Sequence, residues 1–496
     1  MKGLFSSLYS AAGLVLLALL AARLTFIQQI GLELTPDEAY YWDWSRTLAW
    51  GYYSKPPLVA WLIHIFTLKL GHTEYGVRVP AALSHTFYLT LVYYLGQRLF
   101  DRRVGLWAAL AAAAGPLSAV YGFVMTIDPP LFALWAAALC FAWQASETQK
   151  TSDFLKLGLT LGLGLLTKQT MVAFPVLYLL WLWWTPEKRP LLRSPKPYLA
   201  FFTAFLLFLP NLWWNATHGW ITFRHTEEHF QRQGIFLSGP IKFLLEQAGV
   251  ITPVIFFLLL YVFAVFVSRP KLRQNPKLSF LFAFSAVPLA LVLPLSLLRQ
   301  VNANWPHPFY AAGFILLSAL ILRGKWPATK GALLRKVFLL GVLLGMFVMV
   351  AVYQLPRTPE KFPPKVQRLL YKFSGWKDLA RWVAFHRKKN EILITTRRDY
   401  AAEMAFYLPG KPRPYTFWEG YPRSQYDIWD GLPQKLGEDA LLLLKRPAQA
   451  ARYGVCFEKM EYLGKWERNI YGKTRRILLY RGQKLKICPY LGPGNG

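Results

Sequence analysis

Residues 36–57 read PDEAYYWDWSRTLAWGYYSKPP. Two adjacent carboxylates, Asp37 and Glu38, head a run dense in tryptophan and tyrosine, and the run closes on Lys55-Pro56-Pro57. Before it lies LYSAAGLVLLALLAARLTFIQQI, long and apolar enough to cross a bilayer. After it, WLIHIFTLKLG is too short to cross, apolar on one side and bounded by Gly71, the pattern of a helix lying in the membrane surface. The stretch therefore reads as a loop seated at headgroup level, with its tryptophans and tyrosines as anchors. Carboxylates kept that close to lipid call for a reason.

Outward from this loop, the 496-residue chain is 54% hydrophobic and 16% aromatic. Apolar runs predict spans near 8–30, 77–97, 104–124, 129–146, 155–167, 170–185, 198–212, 244–267, 278–298, 306–322 and 332–354, about eleven in all. The fold class expected is an α-helical polytopic membrane protein. The first span lacks a small-x-small cleavage pattern, so it reads as a retained helix rather than a signal peptide. Net charge is +31, and the cations collect in alternate loops, among them Arg98, Arg102 and Arg103, then Lys188, Arg189 and Arg193, then Arg269, Lys271 and Arg273. The positive-inside rule then puts the N-terminus in the cytoplasm. Such an excess suits anionic headgroups better than nucleic acid. In this register the loop 31–76, Asp128, Lys168, the polar connection 213–243 and RQVNANWPHP at 299–308 share the outer face.

The domains expected are a membrane part, 1–355, carrying the loop 31–76, and a small α/β domain, 356–496, on the outer side. Helix-like GWKDLARWVAF and DYAAEMAFYL alternate there with strand-like EILITT, ALLLLK and RILLYRG. Three cysteines cannot build a disulfide framework, but Cys456 and Cys488 can pair if the region lies outside the cytoplasm.

Thr35-Pro36-Asp37-Glu38 is a good helix-capping sequence, so its acids serve either a helix start or chemistry. Asp128, in MTIDPPLF, poses the same alternative at the outer end of another span. Two separate loops presenting acids on one face favour chemistry, and the catalytic candidates are Asp37, Glu38 and Asp128. Lys55, Arg46, Arg78 and Lys168 are the nearby cations in this topology. Rim cations are costly unless paired, and phosphate is the natural partner where several converge, although some will only snorkel. With Tyr53, Arg299 and His307, the cations Lys55, Arg78 and Lys168 form the expected phosphate- and sugar-binding set. His225, Glu228 and His229 match a short zinc-peptidase pattern, but no third ligand is identifiable and a polar outer loop is the better reading. No metal and no cofactor is expected.

PDEAYYWDWS, GYYSKPPLVAWLI, YGVRVPAALS, MTIDPPLF, GLGLLTK, NLWWN and NANWPHPFYAAG, in this order, resemble the bacterial branch of the protein O-mannosyltransferase superfamily. These are GT-C membrane glycosyltransferases, including the lipid A aminoarabinose transferase and the lipopolysaccharide-core galacturonosyltransferases. The resemblance covers the chain to about residue 320, and SQYDIWDG is similar, less specifically, to the outer domain of the same branch. It implies an inverting transferase that takes a sugar from a polyprenyl phosphate, typically undecaprenyl phosphate, to lipid A or lipopolysaccharide core at the periplasmic face of the bacterial inner membrane. Asp37 and Asp128 match the acids of the first and second outer loops, and Lys55 the lysine at the donor phosphate. Where the aminoarabinose enzyme has an acid just before that lysine, this chain has Ser54, and where it has an arginine after the first-loop acids, this chain has Tyr40. An acid would suit an amino sugar's cation, so Ser54 shifts the expectation toward galacturonic acid or a neutral hexose. Aminoarabinose or mannose transfer, transport of lipid-linked sugars, and a phosphate-binding subunit of an envelope complex remain alternatives.

Overall fold

The computed structural model describes residues 11–228, 231, 234–429 and 431–492. Packing divides the chain into two units. One takes the residues up to Phe26 with Arg78–Trp220 and Thr226–Gln354, the other Ile27–Val77, Ile221–His225 and the chain from Leu355. The first outer loop thus packs with the C-terminal residues.

The first unit is a helical membrane domain. Ala11–Gln29, Glu74–Leu99, Asp128–Thr148, Thr151–Leu165, Ala173–Trp184, Pro195–Thr217, Tyr310–Arg323 and Ala328–Gln354 are continuous helices at expected spans. Three other spans are interrupted. At Gly115-Pro116 the 104–124 stretch divides into Arg102–Ala113 and Pro116–Tyr121, because a proline at the first helical position starts a helix rather than continuing one. The 278–298 stretch divides into Pro276–Ala283 and Ala286–Leu298. The 244–267 stretch is not the straight span expected: Gly239–Ile251 and Pro253–Ser268 meet at 114°, with Thr252 at φ 73° between them. By length and apolarity four helices among the described residues can cross a bilayer, or five if the bent pair counts as one span. The remaining ones are too short, broken or too polar by that measure.

Glycine sets the closest approach in this unit. A Cβ on Gly158 would lie 2.5 Å from the Ala200 carbonyl oxygen, and one on Gly162 would lie 2.8 Å from the Leu207 side chain. Gly158 and Gly162 of the fifth span are therefore the contact surface for Pro195–Thr217, as small residues are at membrane helix pairs.

The second unit is built on a five-stranded sheet in the order β2-β1-β3-β5-β4, with β1 Ile392–Thr395, β2 Tyr415–Thr416, β3 Ala440–Leu444, β4 Phe457–Ile470 and β5 Lys473–Leu485. β1 pairs in parallel with β2 and β3, while β5 runs antiparallel to both β3 and β4. The unbroken apolar runs of β1 and β3 follow from burial on two faces. Leu393, Leu441 and Leu443 join Trp376, Leu379 and Met404 on one side, while Ile392, Ile394, Leu442 and Leu444 join Phe417, Tyr453 and Phe457 on the other. Cys456 and Cys488 form a disulfide.

Against this domain stands the first loop, as a helix Pro36–Ser45 and a second helix Leu58–Leu70. The latter buries Val59, Ala60, Ile63 and Thr67 and leaves Ile65 and Leu68 exposed, an apolar outward face of the kind a membrane-surface helix presents. The loop's aromatic rings correct the sequence expectation. Tyr40, Tyr41, Trp42, Trp44, Tyr52 and Tyr53 are buried inside the unit, and Trp50 is the exposed one. Trp44 stacks on Tyr52 at 4.5 Å, and Trp42 meets Phe406 edge-on at 4.8 Å. These rings form a core that ties loop to domain, because flat amphipathic side chains gain more from packing together than from a headgroup boundary.

Candidate active site

Thr35 caps the Pro36–Ser45 helix, its hydroxyl accepting from the Glu38 amide at 3.4 Å, and the Glu38 carboxylate accepts in return from the Thr35 amide at 2.9 Å and hydroxyl at 3.1 Å. This is a complete capping box. It leaves Glu38 fully buried and turned away from solvent. Asp37, one residue earlier, has a half-exposed side chain and a different partner: Nη2 of Arg398 donates to its Oδ1 at 2.9 Å. Of the three acids between residues 36 and 57, Asp37 is the one whose side chain is half exposed.

The third acid is structural. Asp43 is fully buried and accepts from Arg46 at 3.0 Å and from the Tyr426 hydroxyl at 2.8 Å, with Arg413 at 3.6 Å. Burial raises its carboxyl above the ordinary range, and Arg413 and Arg46 draw it back. Gln425, next to Tyr426, accepts from the Tyr53 amide at 2.7 Å and donates from its own amide to the Tyr40 hydroxyl at 2.5 Å. The SQYD segment thus fixes both ends of the loop and holds the turn Tyr52–Lys55, whose Tyr52 amide donates to the Lys55 carbonyl. Thr222 donates to the Tyr52 carbonyl at 2.7 Å, and the His225 ring lies 4.9 Å from that of Tyr53. Lys55 is half-buried and Ser54 buried. His229, the last residue of the zinc-like pattern, lies outside the described residues, and no group of three metal-ligating side chains occurs among those described.

A second polar cluster lies in the membrane unit. Asp128 opens its helix at 4% exposure. Its Oδ1 accepts from Lys168 at 2.9 Å, and its Oδ2 from the Tyr121 hydroxyl at 2.8 Å and from Asn304 at 2.9 Å. Lys168 is therefore paired with Asp128 in this structure. His307 is fully buried between the Phe132 and Tyr310 rings, at 4.5 and 6.0 Å, and neither ring nitrogen has a hydrogen-bond partner among the described residues. Arg299 lies against Trp305 at 5.3 Å and donates to the Gln300 carbonyl, and Arg78 is buried. Sequence reasoning missed Arg398, Gln425 and Asn304. The segments NANWPHP and SQYDIWDG stood out, but nothing in them pointed to a partner far along the chain.

The fold is shared with known proteins. The family model for dolichyl-phosphate-mannose-protein mannosyltransferases matches residues 54–214. The lipid A galacturonosyltransferase RgtD of Rhizobium johnstonii is 27% identical over 94% of this chain and 96% of its own length. An undecaprenyl phosphate-alpha-4-amino-4-deoxy-L-arabinose arabinosyl transferase of Sodalis glossinidius is 35% identical, but over only 31% of each chain. In three dimensions the chain matches the crystal structure of ArnT from Cupriavidus metallidurans bound to undecaprenyl phosphate, with a TM-score of 0.67 at 16% identity over 98% of this chain and 100% of that one. The chain is a membrane glycosyltransferase with the fold of these enzymes. In sequence, the similarity to the lipid A galacturonosyltransferase runs along nearly the whole of both chains.

Proposed function

We propose that the protein transfers a galacturonosyl residue from an undecaprenyl-type phosphate carrier to lipid A, at the periplasmic face of the inner membrane. The observation that carries the choice of sugar is the sequence likeness to a lipid A galacturonosyltransferase along nearly the whole of both chains, against 31% to 62% of this chain for aminoarabinose transferases. Ser54 agrees with it, since the residue that precedes Lys55 in the sequence is a serine and not an acid that would suit an amino sugar. The periplasmic side is supported by the Cys456–Cys488 disulfide, which needs an oxidising compartment.

In this reading the acceptor oxygen attacks the anomeric carbon as the bond to the carrier phosphate breaks, and the carrier leaves with the electron pair. One displacement inverts the centre. For a hydroxyl acceptor, Asp37 takes the proton as general base; for a phosphate acceptor it only positions. Lys55, held by the turn before Pro56-Pro57, neutralises charge on the departing phosphate, with Arg78, Arg299 and His307 as further candidates. Tyr53 lines the sugar. Glu38 supports Asp37 through the capping box, and Asp128 with Lys168 orients groups from within the membrane unit.

The test is donor choice. Purified protein in lipid nanodiscs receives lipid A with undecaprenyl phosphate carrying either galacturonate or aminoarabinose. Transfer of galacturonate is expected, and turnover with aminoarabinose alone would sink the proposal.

A further inference from the structure

Among the cations around the first loop, most are committed. Arg397 forks onto Asp399, at 2.9 Å from Nε and 2.8 Å from Nη2. Arg413 serves Thr47 and Asp43. Arg475, fully buried, donates to the carbonyls of Ser374 and Tyr371. Arg398 differs. Its side chain is 40% exposed, its one hydrogen bond among the described residues runs from Nη2 to Asp37, and its guanidinium lies over the Tyr40 ring at 4.8 Å. The ring fixes the plane without using a donor, so the remaining N–H groups stay open beside the proposed base.

That arrangement points to a sugar bearing its own carboxylate. A guanidinium already aligned on one carboxylate can take a second through its open edge, in the fork geometry that makes arginine–carboxylate pairs strong. An ammonium cannot accept from those N–H groups, and a neutral hydroxymethyl group offers them one weaker acceptor where a carboxylate offers two charged oxygens. We infer that Arg398, reaching the first loop from the C-terminal domain, is the specificity-determining residue that recognises the carboxylate of a uronyl donor. The inference rests on the galacturonosyl reading above and names the side chain that enforces it. It also gives the outer domain a part in donor choice, since Arg398 heads the helix Arg398–Tyr407 that packs on Pro36–Ser45.

The test uses the full chain in nanodiscs and measures displacement of radiolabelled undecaprenyl phosphate galacturonate by the unlabelled galacturonate and galactose forms. Wild type is expected to favour galacturonate about tenfold or more, the size of one charge-assisted contact. Arg398→Ala should bring the two donors to parity, and Arg398→Lys, which keeps charge but not the fork, should restore part of the difference. A domain clamp with no part in recognition predicts instead that both donors weaken in proportion and the preference survives, which would overturn the inference. Since the alanine variant also loses the contact to Asp37, its thermal unfolding is followed alongside. If it unfolds early, the lysine variant decides alone, and an undiminished preference there counts against recognition. Wild type that binds the galactose form as well as the galacturonate one, or takes aminoarabinose in preference to both, would remove the galacturonosyl reading itself.

Discussion

At the scale of single residues, neighbouring carboxylates divide by exposure. Asp37 is reachable, while Glu38 and Asp43 are buried and answered by partners. A fourth, Glu403, is fully buried with neither oxygen partnered. Burial holds its proton well above the usual range of 4.5, with Glu33, Glu38 and Asp399 adding to the effect and Arg475 opposing it. The unfolded chain releases this proton in the ordinary range and the folded chain keeps it to higher pH. Stability should therefore fall as pH climbs from the unfolded value toward the folded one, by up to about 1.4 kcal/mol per pH unit for one proton. Glu403→Gln should flatten that slope in thermal unfolding followed from about pH 5 to about pH 8. Lys168 sets two roles against each other. If its main task is to neutralise buried Asp128, Lys168→Met costs about 3 kcal/mol and Asp128→Asn added to it recovers much of the loss; a variant that unfolds normally but has lost donor binding would return Lys168 to phosphate. Asp37 and Lys55 could be picked out as candidates in the sequence because they stand in a loop between apolar spans. Arg398 could not, since its partner lies 361 residues away and no local pattern encodes such a pair.

At the scale of elements, hydropathy located the helices well and their continuity poorly. Every expected span coincides with a helix or a broken pair, because apolar runs answer directly to the bilayer. The bend of 114° at Thr252 escaped because it turns on one residue's backbone, in a run that stays apolar on both sides. The aromatic loop misled for a related reason: tryptophan and tyrosine serve interfaces and protein cores alike, and composition cannot separate the two. Glycine, by contrast, was informative. With a Cβ on Gly158 placed 2.5 Å from the Ala200 carbonyl oxygen, Gly158→Val must push Thr151–Leu165 away from Pro195–Thr217. The cost expected is about 1–3 kcal/mol, read as a lower unfolding temperature in detergent, while an unchanged temperature would mean that the two helices separate freely.

At the scale of the whole molecule, the charge pattern and the disulfide both favour the proposed placement of the C-terminal domain outside the cytoplasm. Lys389 and Lys271 are exposed in the C-terminal domain and in the loop after Ser268, and the free Cys140 is buried. A membrane-impermeant maleimide added to spheroplasts should therefore label Lys389→Cys and spare Lys271→Cys until the membrane is opened; the reverse pattern would put the chemistry on the cytoplasmic side. The class of enzyme was readable from ordered motifs along the chain, whereas the sugar hung on Ser54 until the full-length likeness to a galacturonosyltransferase joined it. The most direct test is mass spectrometry of lipid A from a strain lacking the protein, complemented with the wild-type chain or with Asp37→Asn. The account predicts that a uronosyl group on lipid A disappears with the deletion, returns with wild type and stays absent, or falls by about a hundredfold or more, with the variant. Lipid A unchanged by the deletion, or a group restored in full by Asp37→Asn, would contradict it.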